Sequence, residues 1–170
     1  EGFDLSDASA ANAKVADYAL LTSATNTEAS TFAAWAKFRK RNNRDTLFYS
    51  YNFILRCNGA DGSMETIIRT DSPADRFFDT ATNVIRTNVW RHYAITFDNA
   101  SIVVYADGQA VGSTTNYAGQ GIGFRKSNYT AFGNEPGGLD QADIVIDLPV
   151  LYNRALSAAE IEAMYQGSMK

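Results

Sequence analysis

Two neighbouring runs, VWRHYAITF (Val89 to Phe97) and IVVYA (Ile102 to Ala106), limit most strongly what this chain can fold into. In the first, Val89, Arg91, Tyr93, Ile95 and Phe97 alternate with Trp90, His92, Ala94 and Thr96. That period of two is the signature of an extended strand with distinct faces. Asp98-Asn99 supplies turn chemistry between the runs, Asp107-Gly108 marks a second reversal, and Val111 begins the next short strand. Strands joined by tight turns read as an antiparallel meander within one sheet.

The same reading extends along the chain. STFAAWAKF (Ser30 to Phe38) puts Phe32, Ala34, Ala36 and Phe38 on one side and Thr31, Ala33, Trp35 and Lys37 on the other. Apolar groups on both faces suit a strand near the centre of a sandwich. Leu47 to Arg56 reads as one strand, with Leu47, Tyr49, Tyr51, Phe53 and Leu55 opposite Phe48, Ser50, Asn52, Ile54 and Arg56. Gly59 to Gly62 forms a turn, and Met64 to Thr70 returns as the antiparallel neighbour. Phe77, Phe78, Val84 and Ile85 are expected to cover a sheet edge or fill the rim of the core. A short strand is expected at Tyr129 to Phe132, and the alternating segment Ala142 to Leu148 continues toward Val150 to Tyr152. Pro149 lacks an amide donor, so it predicts an edge, a bulge or a strand boundary. Ser157-Ala158-Ala159-Glu160 matches a capping box, flanked by Leu156 and Ile161 at the staple positions, and opens a short helix that Gly167 is expected to stop.

With 170 residues, 45% of them hydrophobic, the chain suits a single domain over 1–170 with a core large enough to need no staples. Cys57 is the only cysteine, which removes an internal disulfide and a cysteine-based zinc site. A net charge of −4 gives no general reason to bind nucleic acid. No run approaches the roughly 20 apolar residues that span a bilayer. The segment Glu1-Gly2-Phe3-Asp4 lacks a signal peptide's features, which places the module after any targeting segment.

Two segments resemble the laminin-G-like jelly-roll domains of the concanavalin A-like lectin and glucanase superfamily. WRHYAITFDNASIVVYADGQAV is similar to the family's Trp, His and hairpin pattern ending in Tyr, a residue and Asp-Gly. VLYNRALSAAEIEAMY is similar to its closing strand, Asn-Arg-Ala-Leu-Ser turn and short helix. The resemblance implies an all-β fold of two packed antiparallel sheets, a concanavalin A-like jelly-roll sandwich with a short C-terminal helix. It also implies frequent calcium binding and use as a carbohydrate-binding or adhesion module of extracellular proteins. Trp90, His92, Tyr105, Asp107, Gly108, Asn153, Arg154, Leu156, Ser157 and Glu160 carry over as positions that maintain the fold.

Sugar recognition asks for aromatic platforms beside polar donors, and Tyr51, Arg56, Arg125, Asn128 and Tyr129 are the candidates for carbohydrate binding. Calcium accepts carboxylates in flexible geometry, and the resemblance guides its ligands to Asp17 and Asp147, with Asp140 and Asp143 nearby. The basic run KFRKRNNR, Lys37 to Arg44, could contact an anionic glycan or an acidic protein through Arg39 or Arg41, or be a solvated tip.

Catalysis has less to draw on. Asp143 and Asp147 share a strand face but sit four steps, roughly 13 Å, apart, too far for a glycosidase pair. The lone His92 lies within a strand, without the Gly-x-Ser-x-Gly context of a serine hydrolase. The leading expectation is a non-catalytic carbohydrate-binding module of a larger extracellular polysaccharide-active or adhesive protein. The alternative is a protein-interaction or structural adhesion module, with glycoside hydrolysis behind both.

Overall fold

The computed structural model describes residues 3–4, 13–15, 29–50, 53–68, 76–98, 100–115, 130–133 and 142–168. Within them run β1 (Phe3–Asp4), β2 (Ala13–Val15), β3 (Ser30–Phe38), β4 (Thr46–Ser50), β5 (Phe53–Cys57) and β6 (Met64–Ile68). There follow β7 (Arg76–Asp79), β8 (Arg91–Phe97), β9 (Ile102–Ala106), β10 (Gln109–Thr114), β11 (Thr130–Phe132), β12 (Ile144–Tyr152) and the helix α1 (Ala158–Gly167). The first sheet has the order β1-β12-β3-β8-β9-β10 and the second β2-β11-β4-β5-β6-β7, every ladder antiparallel. This is the two-sheet jelly-roll sandwich that the sequence predicts.

Side-chain alternation builds the core between the sheets. Phe32, Ala34, Ala36 and Phe38 of β3 face Phe48, Leu55, Cys57, Met64 and Ile68 of the second sheet, all buried. Phe32 stacks on Phe48 with ring centroids 4.4 Å apart, and Phe132 closes on both at 5.4 and 5.7 Å. Such ring pairs add about 0.5–1.5 kcal/mol each beyond the area they bury. Val84 and Ile85 fill the rim of the same core, as expected.

The opposite face of the first sheet is covered by the helix. Ala33, Ala94 and Tyr105 pack against Leu156 and Ile161, while Trp35 lies beside both His92 and Tyr165. Ser157 caps α1 in a complete capping box with Glu160. Thr31, wholly buried, donates to the Arg154 carbonyl at 2.9 Å and accepts the Leu156 amide at 2.8 Å, tying the approach to the helix onto β3. Gly167 is the last helical residue and Ser168 forms the C-cap, one residue later than the sequence predicts. Pro149 sits at a bulge of β12, where the register shifts between Asp147 and Val150 and Leu148 adopts φ 49°.

One strand of the sequence reading is two. The chain reverses between Ser50 and Phe53, which pair with each other, so Leu47 to Arg56 forms the β4–β5 hairpin rather than a continuous strand. A reversal of that length pairs residues of opposite parity, Tyr49 with Ile54 and Phe48 with Leu55. The faces therefore exchange past the turn: Leu55 enters the core with Phe48, whereas Tyr49 and Ile54 point out together.

Candidate functional site

The exchange creates a face that the sequence reading divided. Along the outward side of the second sheet, Ala131, Tyr49, Ile54, Ile67 and Phe77 stand in one row across five strands, each paired with the next. Tyr49, Ile54, Ile67 and Ala131 cluster and are buried, whereas Phe77 on the edge strand β7 is 59% exposed. One alternation step away runs a charged row, in which Arg56 pairs with Glu65 and Glu65 with Asp79. The sequence reading sets Arg56 opposite to Tyr49; the hairpin corrects this and places both on the same side.

Arg56 Nε and Glu65 Oε2 form a close ion pair whose side chains are largely removed from water. Asp79 lies next to Glu65, and desolvation, followed by the charges of Glu65 and Asp61, raises its pKa above the ordinary carboxylate value. The face thus carries an exposed ring at its edge next to Asp79, and behind it Glu65 paired with the buried Arg56, a mixture of apolar surface and hydrogen-bonding groups that a sugar presents in complement. Glu65 and Asp79 are also the carboxylates that the described residues set side by side on this face. Glu65 is held in its ion pair with Arg56.

Of the predicted carbohydrate contacts, Arg56 lies on this face, while Tyr51, Arg125, Asn128 and Tyr129 lie outside the described residues. Of the predicted calcium ligands, Asp17 also lies outside them. Asp147 is in β12, on the helix side of the first sheet opposite Trp35, buried, with Oδ1 accepting the Leu148 amide at 2.9 Å. Among the described residues no three His, Cys, Asp or Glu side chains gather as a metal site. Asp143 is engaged by Arg39 at 3.4 Å and Lys40 at 3.7 Å. His92 is buried under the helix, with desolvation lowering its pKa, and Tyr165 stands over it. Glu65, Phe77 and Asp79 escape sequence reasoning because only strand pairing puts them beside Arg56.

The two-sheet fold defines a concanavalin A-like domain. The chain belongs to the Laminin_G_3 family of the concanavalin A-like lectin/glucanases superfamily, whose model matches residues 7–162. No curated protein matches the chain. Among solved structures it is similar to the CBM40 of the Ruminococcus gnavus IT-sialidase, at 20% identity and TM-score 0.70, over 96% of this chain and 91% of that one. It is similar to the binding domain of Paraclostridial Mosquitocidal Protein 1, at 18% identity and TM-score 0.64, over 93% of this chain and 39% of that one. A third likeness is to botulinum neurotoxin type C, which depends on interaction with two ganglioside molecules to enter cells. That match has 10% identity and TM-score 0.70, over 92% of this chain and 40% of the other. The chain therefore spans about two fifths of the length of the two toxin structures. Among the described residues no helix is long and apolar enough to cross a membrane.

Proposed function

We propose that the chain is a non-catalytic glycan-binding module of a larger extracellular protein, and that it holds its ligand on the outward face of the second sheet. The observation that carries this reading is the exposed Phe77 ring beside the Arg56, Glu65 and Asp79 row, on a sheet whose counterpart is covered by α1. Tyr49, Ile54 and Ile67 are buried, so the face is not the broad exposed apolar patch that a protein contact favours. The likeness to the sialidase CBM40 and to the ganglioside-dependent neurotoxin supports a glycan partner.

Arg56 would orient the sugar with Glu65 and Asp79, and Phe77 would stack on its apolar side. Tyr51, Arg125, Asn128 and Tyr129 join the same proposal as further contacts. A structural calcium, for which Asp147 and Asp17 would supply carboxylate oxygens, is proposed separately. A glycan array run with calcium and with chelator tests the reading. Reproducible binding, weakened by Phe77→Ala, is expected, and a fold that retains no glycan would sink it. Release of reducing ends during incubation would replace the non-catalytic assignment with hydrolysis, with Glu65 and Asp79 as the first residues to substitute. A calcium-dependent rise in melting temperature that Asp147→Asn removes would support the metal proposal, and identical melts with calcium and chelator would overturn it.

A further inference from the structure

A second feature lies away from that face. The β3–β4 loop, the β5–β6 turn and the β7–β8 connection meet at an open groove of about 720 Å³, lined by Arg41, Gly59, Asn83, Ile85, Arg86 and Thr87. Its walls are joined through the backbone. The Asn83 amide donates to the Asp61 carbonyl at 2.9 Å, the Ile85 amide to the Gly62 carbonyl at 2.8 Å, and the Asn88 amide to the Phe38 carbonyl at 2.7 Å. Gly59 fits against the β3–β4 loop so closely that a Cβ would stand 2.4 Å from the Asn43 nitrogen.

Arg41 lies across Gly62, where a Cβ would meet its Nη1 at 2.7 Å and the Ile85 carbonyl at 3.1 Å. The missing side chain at Gly62, whose φ is +72°, is what lets the guanidinium lie there. The neighbouring cations Arg39 and Lys40 are engaged by Asp143. Arg41 and Arg86 make no ion pair among the described residues, and both are exposed. Asp61, whose pKa is lowered by its hydrogen bonds from Ser63 and in smaller part by the Arg41 charge, turns its Oδ1 to the Ser63 amide at 2.9 Å and the Ser63 hydroxyl at 2.8 Å. Two guanidinium groups outside any ion pair among the described residues, an amide side chain and a hydroxyl therefore line a groove that also takes in buried Ile85.

We propose that this groove binds an oxyanion, a carboxylate or sulfate group carried by an acidic glycan, through Arg41 and Arg86, with Asn83 and Thr87 as additional donors. The planar forks of arginine match both groups, each taking a carboxylate or sulfate through paired N–H donors. The chain's net charge of −4 opposes indiscriminate association with polyanions, so retention on them needs a local cationic site. The glycan as carrier rests on the reading above, whereas the anion site itself does not.

The test compares wild type, Arg41→Gln/Arg86→Gln and Phe77→Ala on immobilised chondroitin sulfate, desulfated chondroitin and a neutral polysaccharide. The double arginine variant should weaken retention on the acidic chains by roughly tenfold or more and leave neutral retention unchanged. Retention on desulfated chondroitin assigns a carboxylate as sufficient; its loss there assigns sulfate. Arg41→Lys/Arg86→Lys, which keeps the charge without the fork, should recover only part of the affinity. Wild-type retention by the double glutamine variant, or an equal loss on the neutral polysaccharide, would overturn the proposal. Inorganic sulfate titrated into the whole labelled chain supplies an arm free of glycan and of substitution. Saturable shifts of the Arg41 and Arg86 Nε–H resonances are expected even if no polysaccharide is retained, which would separate failure of the glycan reading from failure of the anion site. Resonances that stay unmoved would overturn the site.

Discussion

Arg91 donates from Nε to Asp107 Oδ2 at 2.7 Å, and the same carboxylate accepts the His92 backbone amide at 3.0 Å through Oδ1. Asp107 itself sits at φ 50°, and its amide donates back to the His92 carbonyl at 2.8 Å. The Trp-x-His and Asp-Gly segments are thus two halves of one linkage between the start of β8 and the end of β9. Arg91 extends the linkage by donating from Nη1 to the Val84 carbonyl, in the connection that forms one wall of the arginine groove. Asp107→Ala should therefore lower stability by about 1–3 kcal/mol, since it leaves a partly buried guanidinium and an amide without their acceptor. Thermal or urea unfolding monitored by circular dichroism measures this, and an unchanged midpoint would refute the linkage.

Glu160 is held down to a pKa of about 2 by Arg154 first, then by the Ser157 amide and hydroxyl. A carboxylate depressed in the folded state stabilises above its ordinary value, and that contribution fades as pH falls through the folded value. Glu160→Gln should melt below wild type at pH 7. The gap should narrow from the ordinary value of 4.5 downward and close near pH 2, which melting curves across that range would show.

Cys57 is buried in the core, and its thiol is pushed up to about 12, chiefly by desolvation and then by the Asp45 charge. Thiolate is the reactive form, so a water-soluble disulfide reagent should leave Cys57 untouched in the folded chain at pH 8 and label it rapidly in denaturant. Rapid stoichiometric labelling of the native protein would contradict its burial.

Gly59→Ala should cost about 1–3 kcal/mol, because the contact at the Asn42 and Asn43 backbone has no flexible side chain to move aside. The loss of stability should be accompanied by weaker sulfate binding, since the same contact shapes the groove. A sulfate titration of the folded variant measures the second effect.

Phe77→Ala should leave the melting temperature within a degree or two, since an exposed ring contributes little to the core. Calorimetric affinity for a bound glycan should fall several-fold. Equal affinity would move the ligand off the second sheet.

Much of this architecture is legible in the sequence because its causes are local. Alternation marks β3, β8 and β9, the capping box starts α1, and Pro149 announces the bulge in β12, each within a few residues. The reversal between Ser50 and Phe53 is hidden for an equally local reason. Apolar alternation runs through it without interruption, and the reading consequently assigns Arg56 to the wrong face.

The sequence by itself determined the strand-rich sandwich, the helix and its cap, and the chemical character of the basic loop, since these depend on neighbours in the chain. The tertiary structure alone decided that Tyr49, Arg56, Glu65, Phe77 and Asp79 share a face and that Arg41, lying over Gly62, lines one groove with Arg86. Those juxtapositions follow from strand register and loop packing, in which residues far apart in the chain are brought together by burial of the core between the sheets.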